Sequence, residues 1–65
     1  MDKFKYLHWE FYMDGNDIAV YEMRSGDTIG YLQSYAGNIE ELQKKLEGCT
    51  EQEVYDFIDD NIDYI

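Results

Sequence analysis

An α+β domain is expected for this chain: a three-stranded antiparallel β-meander followed by two α-helices packed on one face. Three observations predict it. Lys3 to Met13 alternates between two residue classes with period two. Ile18 to Leu32 reads as two strands of β-branched and aromatic residues joined at Ser25-Gly26-Asp27. After Gly37-Asn38 come two helical patterns, each opened by a capping signal.

The first strand has one face with Leu7, Trp9, Phe11 and Met13 and another with Phe4, Tyr6, His8, Glu10 and Tyr12. Asp14-Gly15-Asn16-Asp17 follows, and Gly-Asn suits the positive φ angles of a tight hairpin. With Asp14 and Asp17 flanking a two-residue turn, Met13 opposes Ile18 and Phe11 opposes Val20. Ile18 and Val20 then share the face of Phe11, and Ala19, Tyr21 and Met23 take the other. A two-residue turn at Ser25-Gly26 pairs Val20 with Tyr31 and Ala19 with Leu32; a three-residue turn shifts this register by one and flips Leu32. Gly30 inside the third strand marks a candidate bulge.

Gly37 and Asn38 end the sheet. Asn38 with Glu41 has the capping-box spacing, and Ile39 to Glu47 places Ile39, Leu42 and Leu46 on one stripe. Glu40 with Lys44 and Glu41 with Lys45 are i,i+4 pairs in the favourable order, and Gly48 stops the helix. Thr50 with Glu53 forms a second capping box. The second helix carries Val54, Phe57, Ile58, Ile62 and Ile65 inward and Asp56, Asp59, Asp60 and Asp63 outward.

At 65 residues the chain is expected to form a single domain over 1–65. Its formal net charge is -10, from 15 acidic against 5 basic residues. Such a charge raises the prospect of disorder, but 45% hydrophobic and 17% aromatic residues without proline favour a folded domain. The acidity disfavours direct binding to nucleic acid or anionic membranes, because phosphate contacts need Lys and Arg. It favours basic partners, including nucleic-acid-binding proteins. The single cysteine, Cys49, permits no internal disulfide, and no apolar run approaches the ~20 residues that span a bilayer. A cytoplasmic setting is expected.

Two features are candidates for function. From Glu47 onward there are seven acids and no base. On one helix, Asp56, Asp60 and Asp63 would stand roughly 4 to 6 Å apart along the axis, near the interval of backbone phosphates. Such a row can imitate nucleic acid toward a basic cleft, or it can be a solvated face. The second feature is tyrosine. Tyr6, Tyr12 and Tyr21 fall on one sheet face with Phe4, Met23 and, in one register, Leu32. If helices cover the other face, this one is open to a partner or a second copy of the chain.

His8 and Cys49 have no surrounding motif for nucleophilic catalysis. His8 reads as a strand surface residue and Cys49 as a buried hinge between helices. Asp14, Asn16 and Asp17 lack the length and terminal Glu of a calcium loop. No enzymatic activity, cofactor or metal is expected.

The segment from Tyr21-Glu22 through Gly26 to Gly37-Asn38 resembles the small acidic uracil-DNA glycosylase inhibitors of short-tailed Bacillus phages, which carry a Tyr-Glu, a Gly four residues after the Glu, and a Gly-Asn at similar spacing. The resemblance implies that Glu22 contacts the partner. It also implies that Leu32 matches the apolar plug, a Phe in the family, that enters a pocket on the glycosylase. Gln33 stands where the family has a second acid and Ala36 where it has a Tyr. The family also uses a helix around the plug, where Thr28 to Tyr35 reads as strand, and it lacks the acidic last helix.

The functional expectation is a non-enzymatic acidic binding protein, an inhibitor of phage or mobile-element type that mimics DNA and occludes the nucleic-acid site of a basic partner. The alternative is a structural or regulatory interaction domain that homodimerises through its Tyr-rich sheet face.

Overall fold

The computed structural model describes residues 1–35 and 38–65. Ala36 and Gly37, invoked above for a family departure and for the end of the sheet, lie outside the described residues. Strands β1 (Lys3–Tyr6), β2 (Trp9–Asp14), β3 (Asp17–Glu22), β4 (Asp27–Leu32) and β5 (Asp63–Tyr64) form one sheet in that order. Every pair is antiparallel. A 3-10 turn (Gln33–Tyr35) and helices α1 (Ile39–Leu46) and α2 (Glu51–Asn61) lie between β4 and β5. The chain is α+β as expected, but its meander has five strands rather than three.

One extra strand arises because Lys3 to Met13 does not run straight. The chain reverses at Leu7-His8, so that Tyr6 pairs with Trp9 and Phe4 with Phe11. Leu7 takes a φ of 54°, in the left-handed region that costs an L-residue roughly 1–2 kcal/mol. Contacts on both sides offset this. The rings of Phe4 and Phe11 stack with centroids 5.0 Å apart, and the Tyr6 hydroxyl donates to the Cys49 carbonyl at 2.7 Å. The reversal exchanges faces. Phe4 and Tyr6 pack with the core rather than beside Tyr12 and Tyr21, while Leu7, expected inside, is exposed.

The next hairpin follows its sequence. Asp14 pairs with Asp17, Met13 with Ile18 and Phe11 with Val20. Gly15 turns the corner at a φ of 65°, which glycine adopts without strain.

Between β3 and β4 the register differs from the two-residue reading. Glu22 pairs with Asp27 and Tyr21 with Thr28 around a four-residue loop, and Val20 then pairs with Gly30, leaving Ile29 as a bulge. Beyond the bulge Ala19 faces Tyr31 and Ile18 faces Leu32. Leu32 therefore enters the core, and Tyr31 takes the place on the open face that Leu32 would have had. Met23 lies in the loop, outside the strand.

Helix α1 buries Ile39, Leu42 and Leu46. Asn38 stands at its N-cap position without a side-chain hydrogen bond, so the expected capping box does not form there. At α2 the box is complete: Thr50 Oγ1 accepts the Glu53 N–H, and Glu53 Oε1 accepts the Thr50 N–H. Helix α2 ends at Asn61, and the chain then extends into β5 instead of continuing as helix to Ile65. Ile65 is 79% exposed, so it is not part of the inward stripe.

Close approach of β5 depends on Gly30. A Cβ there would collide with the Asp63 carbonyl oxygen and lie 2.7 Å from Ile62 Cγ1. The core joins Phe4, Trp9, Phe11, Ile18, Val20 and Leu32 of the sheet to the apolar stripes of both helices, including Val54 and Ile58. Phe57 is half-buried at its margin, edge-on to Tyr35 and beneath the Lys45 ammonium at 5.3 Å. β1 and β5 are the sheet edges. Among the described residues no helix is long and apolar enough to cross a membrane.

Candidate functional site

Three surfaces carry the candidate residues. The first is the outer side of α2, where Glu53, Asp56, Asp59 and Asp60 are all exposed. Asp63, expected in the same row, is instead on β5 opposite Tyr31, on the sheet face away from the helices. Of the expected row only Asp56 and Asp60 stay on the helix; with Glu53, not expected in the row, they stand at i, i+3 and i+7, about 4.5 and 6 Å between steps along the axis. Asp56 accepts from the Gln52 amide at 2.9 Å and Asp59 from the Tyr64 hydroxyl at 2.8 Å. The last turn of α2 contains no base to offset its dipole.

This charge is largely uncompensated. Among the described residues, Glu22 and Glu51 are the only carboxylates within ion-pairing distance of an arginine, lysine or histidine: Arg24 to Glu51 at 2.9 Å, and His8 to Glu51 at 3.0 Å and to Glu22 at 3.6 Å. The expected pairs Glu40–Lys44 and Glu41–Lys45 do not form.

The second surface is the open sheet face. Cross-strand pairing sets Lys3, Tyr12, Ala19, Tyr31 and Asp63 in one row and Lys5, Glu10, Tyr21 and Thr28 in the next. Tyr12, Tyr21 and Tyr31 are half-buried, and Ala19 among them is fully buried. The Tyr12 hydroxyl hydrogen-bonds with Thr28 Oγ1 at 3.0 Å, and the Tyr31 hydroxyl donates to Asp14 at 3.1 Å. The Asp14 bond holds the Tyr31 phenol above its usual pKa range. Tyr6 belongs to the other face. Leu32 is 0% exposed, so the apolar residue implied as a plug is sealed in the core.

The third surface was not evident from the sequence. The turn at Leu7-His8, the end of β3, the bulge at Ile29, α2 and β5 enclose a cleft of about 270 Å³. Trp9 is its floor at 2% exposure, with the His8 ring 3.7 Å above it, centroid to centroid. Tyr55, Ile58 and Tyr64 line the sides, and Glu22 and Asp59 supply carboxylates. The cleft continues past Arg24, Glu51 and Gln52. The Ser25 side chain and its backbone N–H, the latter 2.8 Å from Oε1, hold the Glu22 carboxyl below the usual carboxylate range. His8 is therefore largely enclosed between two glutamates rather than lying on an open strand. Cys49 is half-buried between the helices, its thiol directed at the Lys45 carbonyl.

No protein-family model matches the chain, and neither a curated protein nor a solved structure matches it.

Proposed function

We propose that this chain is a non-enzymatic acidic binding protein that occludes the nucleic-acid-binding site of a basic partner, in the manner of a DNA mimic. The observation that carries the reading is the uncompensated charge. Thirteen of the fifteen carboxylates, the total less Glu22 and Glu51, have no cation at ion-pairing distance among the described residues. Several of these, Glu53, Asp56 and Asp60, form a stripe on a capped helix. A field of this sign speeds encounter with a basic surface and opposes nucleic acid itself. Inhibitors of the uracil-DNA glycosylase type would be one instance of this class. With Leu32 inside the core, the apolar part of such an interface has to come from other residues.

A second reading is homodimerisation through the open sheet face, favoured by the three tyrosines that no helix covers. Ionic strength separates the two, since a charge-driven complex weakens steeply with salt and an aromatic seam does not.

The test takes basic DNA-binding proteins captured on the immobilised chain at low salt and asks whether the chain displaces a labelled duplex from them. Displacement that fades with salt and with the Asp56→Asn, Asp59→Asn, Asp60→Asn triple variant is the expected result. Partners that hold duplex and chain together, or that ignore the three substitutions, would exclude occlusion by this helix.

A further inference from the structure

We propose that the cleft over Trp9 is a receptor for one arginine side chain of a basic partner. The proposal rests on the acidic-binding reading above and names the site at which specificity, rather than long-range attraction, would arise.

The cleft combines two kinds of wall. Tyr55 and Tyr64 present exposed aromatic surface above Trp9, which is itself covered by the His8 ring, and Glu22 and Asp59 present carboxylates. Aromatic faces attract a cation through their quadrupole, and carboxylates attract it through charge and hydrogen bonds. An apolar side chain in the same place would strip water from Glu22 and Asp59, which hold bonds from Ser25 and Tyr64, without giving them a counter-charge. A guanidinium satisfies both walls at once, because it stacks flat while its N–H groups donate in their own plane; an ammonium has no such plane.

The chain fills the cleft with no lysine or arginine of its own, and the basic side chain that lines it is His8. Arg24, which borders the adjoining stretch, is engaged with Glu51 at 2.9 Å. No lysine or arginine lines the part over Trp9, Ile58 and Tyr64. The walls are also held in position before any partner arrives. Tyr64, although 63% exposed, is tied to Asp59 through its hydroxyl, and His8 is fixed over Trp9 by Glu51. Fixed walls lower the ordering cost of binding.

Trp9 is the only tryptophan, so its indole N–H resonance reports on the cleft directly. The ¹⁵N-labelled chain is titrated with an amidated pentapeptide, one arginine flanked by glycines, and with its citrulline and lysine counterparts. The expected result is a saturating indole shift with the arginine peptide, a weaker one with lysine and none with citrulline. In the Glu22→Gln, Asp59→Asn double variant the affinity for the arginine peptide should fall about tenfold or more. Both amides keep an oxygen for the Ser25 and Tyr64 bonds, and an unchanged Tm confirms that the fold is retained. A silent indole, an equal response to citrulline or lysine, or an unaffected double variant would each overturn the arginine receptor. Octa-arginine, run in parallel at low salt, separates this failure from that of the broader reading. Octa-arginine binding that weakens in Asp56→Asn, Asp60→Asn while Trp9 stays silent removes the receptor and leaves the acidic surface. No octa-arginine binding at all removes both.

Discussion

The Tyr64 hydroxyl donates to Asp59 Oδ1 at 2.8 Å, tying the last strand back to the last full turn of α2. The same bond holds the Tyr64 phenol above its usual pKa range, because ionisation would put two negative charges in contact. β5 is otherwise attached by its pairing with Gly30 and Tyr31 and by the Ile65 N–H to the Ile29 carbonyl at 3.3 Å. One of the cleft's aromatic walls, Tyr64, therefore depends on a strand of two residues.

Gly30→Ala tests that attachment. A methyl group has no room against Asp63 and Ile62, so β5 should lift from β4 at a cost on the order of 1–3 kcal/mol. Amide exchange checks it: the Asp63 and Ile65 amides should lose protection while those of β2 and β3 keep theirs. Unchanged protection throughout would show that β5 packs differently.

Leu32→Ala is expected to destabilise the fold by about 2–5 kcal/mol, since the side chain is fully buried opposite Ile18. Leu32→Met should cost less than about 1.5 kcal/mol. Urea unfolding of both variants measures the difference. A Leu32→Ala protein as stable as the parent would place Leu32 on the surface.

Acid should weaken the fold through Glu53. The Thr50 backbone N–H, then its side chain, holds the Glu53 carboxyl below the ordinary glutamate value. Its folded pKa is thus lower than its unfolded one. The stabilisation is complete above about pH 4.3 and disappears as pH falls through the folded value. Glu22 acts in the same direction. The drop in Tm between roughly pH 5 and 3 should be smaller in Glu53→Gln than in the parent. Parallel Tm profiles would mean that the capping carboxylate does not contribute.

Leu7→Gly should raise stability, or leave it level, despite removing an apolar side chain. Leu7 is about half exposed and held at a positive φ. Relief of that strain, roughly 1–2 kcal/mol, outweighs the small area lost. A fall in Tm of several degrees would show that the Leu7 side chain packs usefully in the turn.

The elements legible in the sequence were those with local chemical signals. Gly15-Asn16 marked its hairpin and register, Thr50 with Glu53 marked the start of α2, and the stripe Ile39, Leu42, Leu46 marked the buried side of α1. The reversal at Leu7-His8 has no such signal, because neither residue favours a turn and the bend is held by distant contacts such as Tyr6 with Cys49. Period-two reading therefore carried Tyr6 onto the wrong face. The bulge at Ile29 had only Gly30 beside it as a hint, and one unpaired residue exchanged Tyr31 with Leu32. The helical pattern also runs through Ile62 and Ile65, and only the sheet edge beside Gly30 ends it. The cleft over Trp9 draws its walls from all three of these unmarked places, so it emerges only in the folded chain.

The two edges of the sheet have a further consequence. β1 carries Lys3 and Lys5 along its exposed side, and β5 is only two residues long. A free strand edge is a template on which other chains can grow into fibrils, and lysines or brevity blunt it. In a chain this rich in tyrosine and isoleucine, two of its five basic residues are placed where they hinder end-to-end polymerisation. Lys3→Thr and Lys5→Thr together would remove that guard without touching the core.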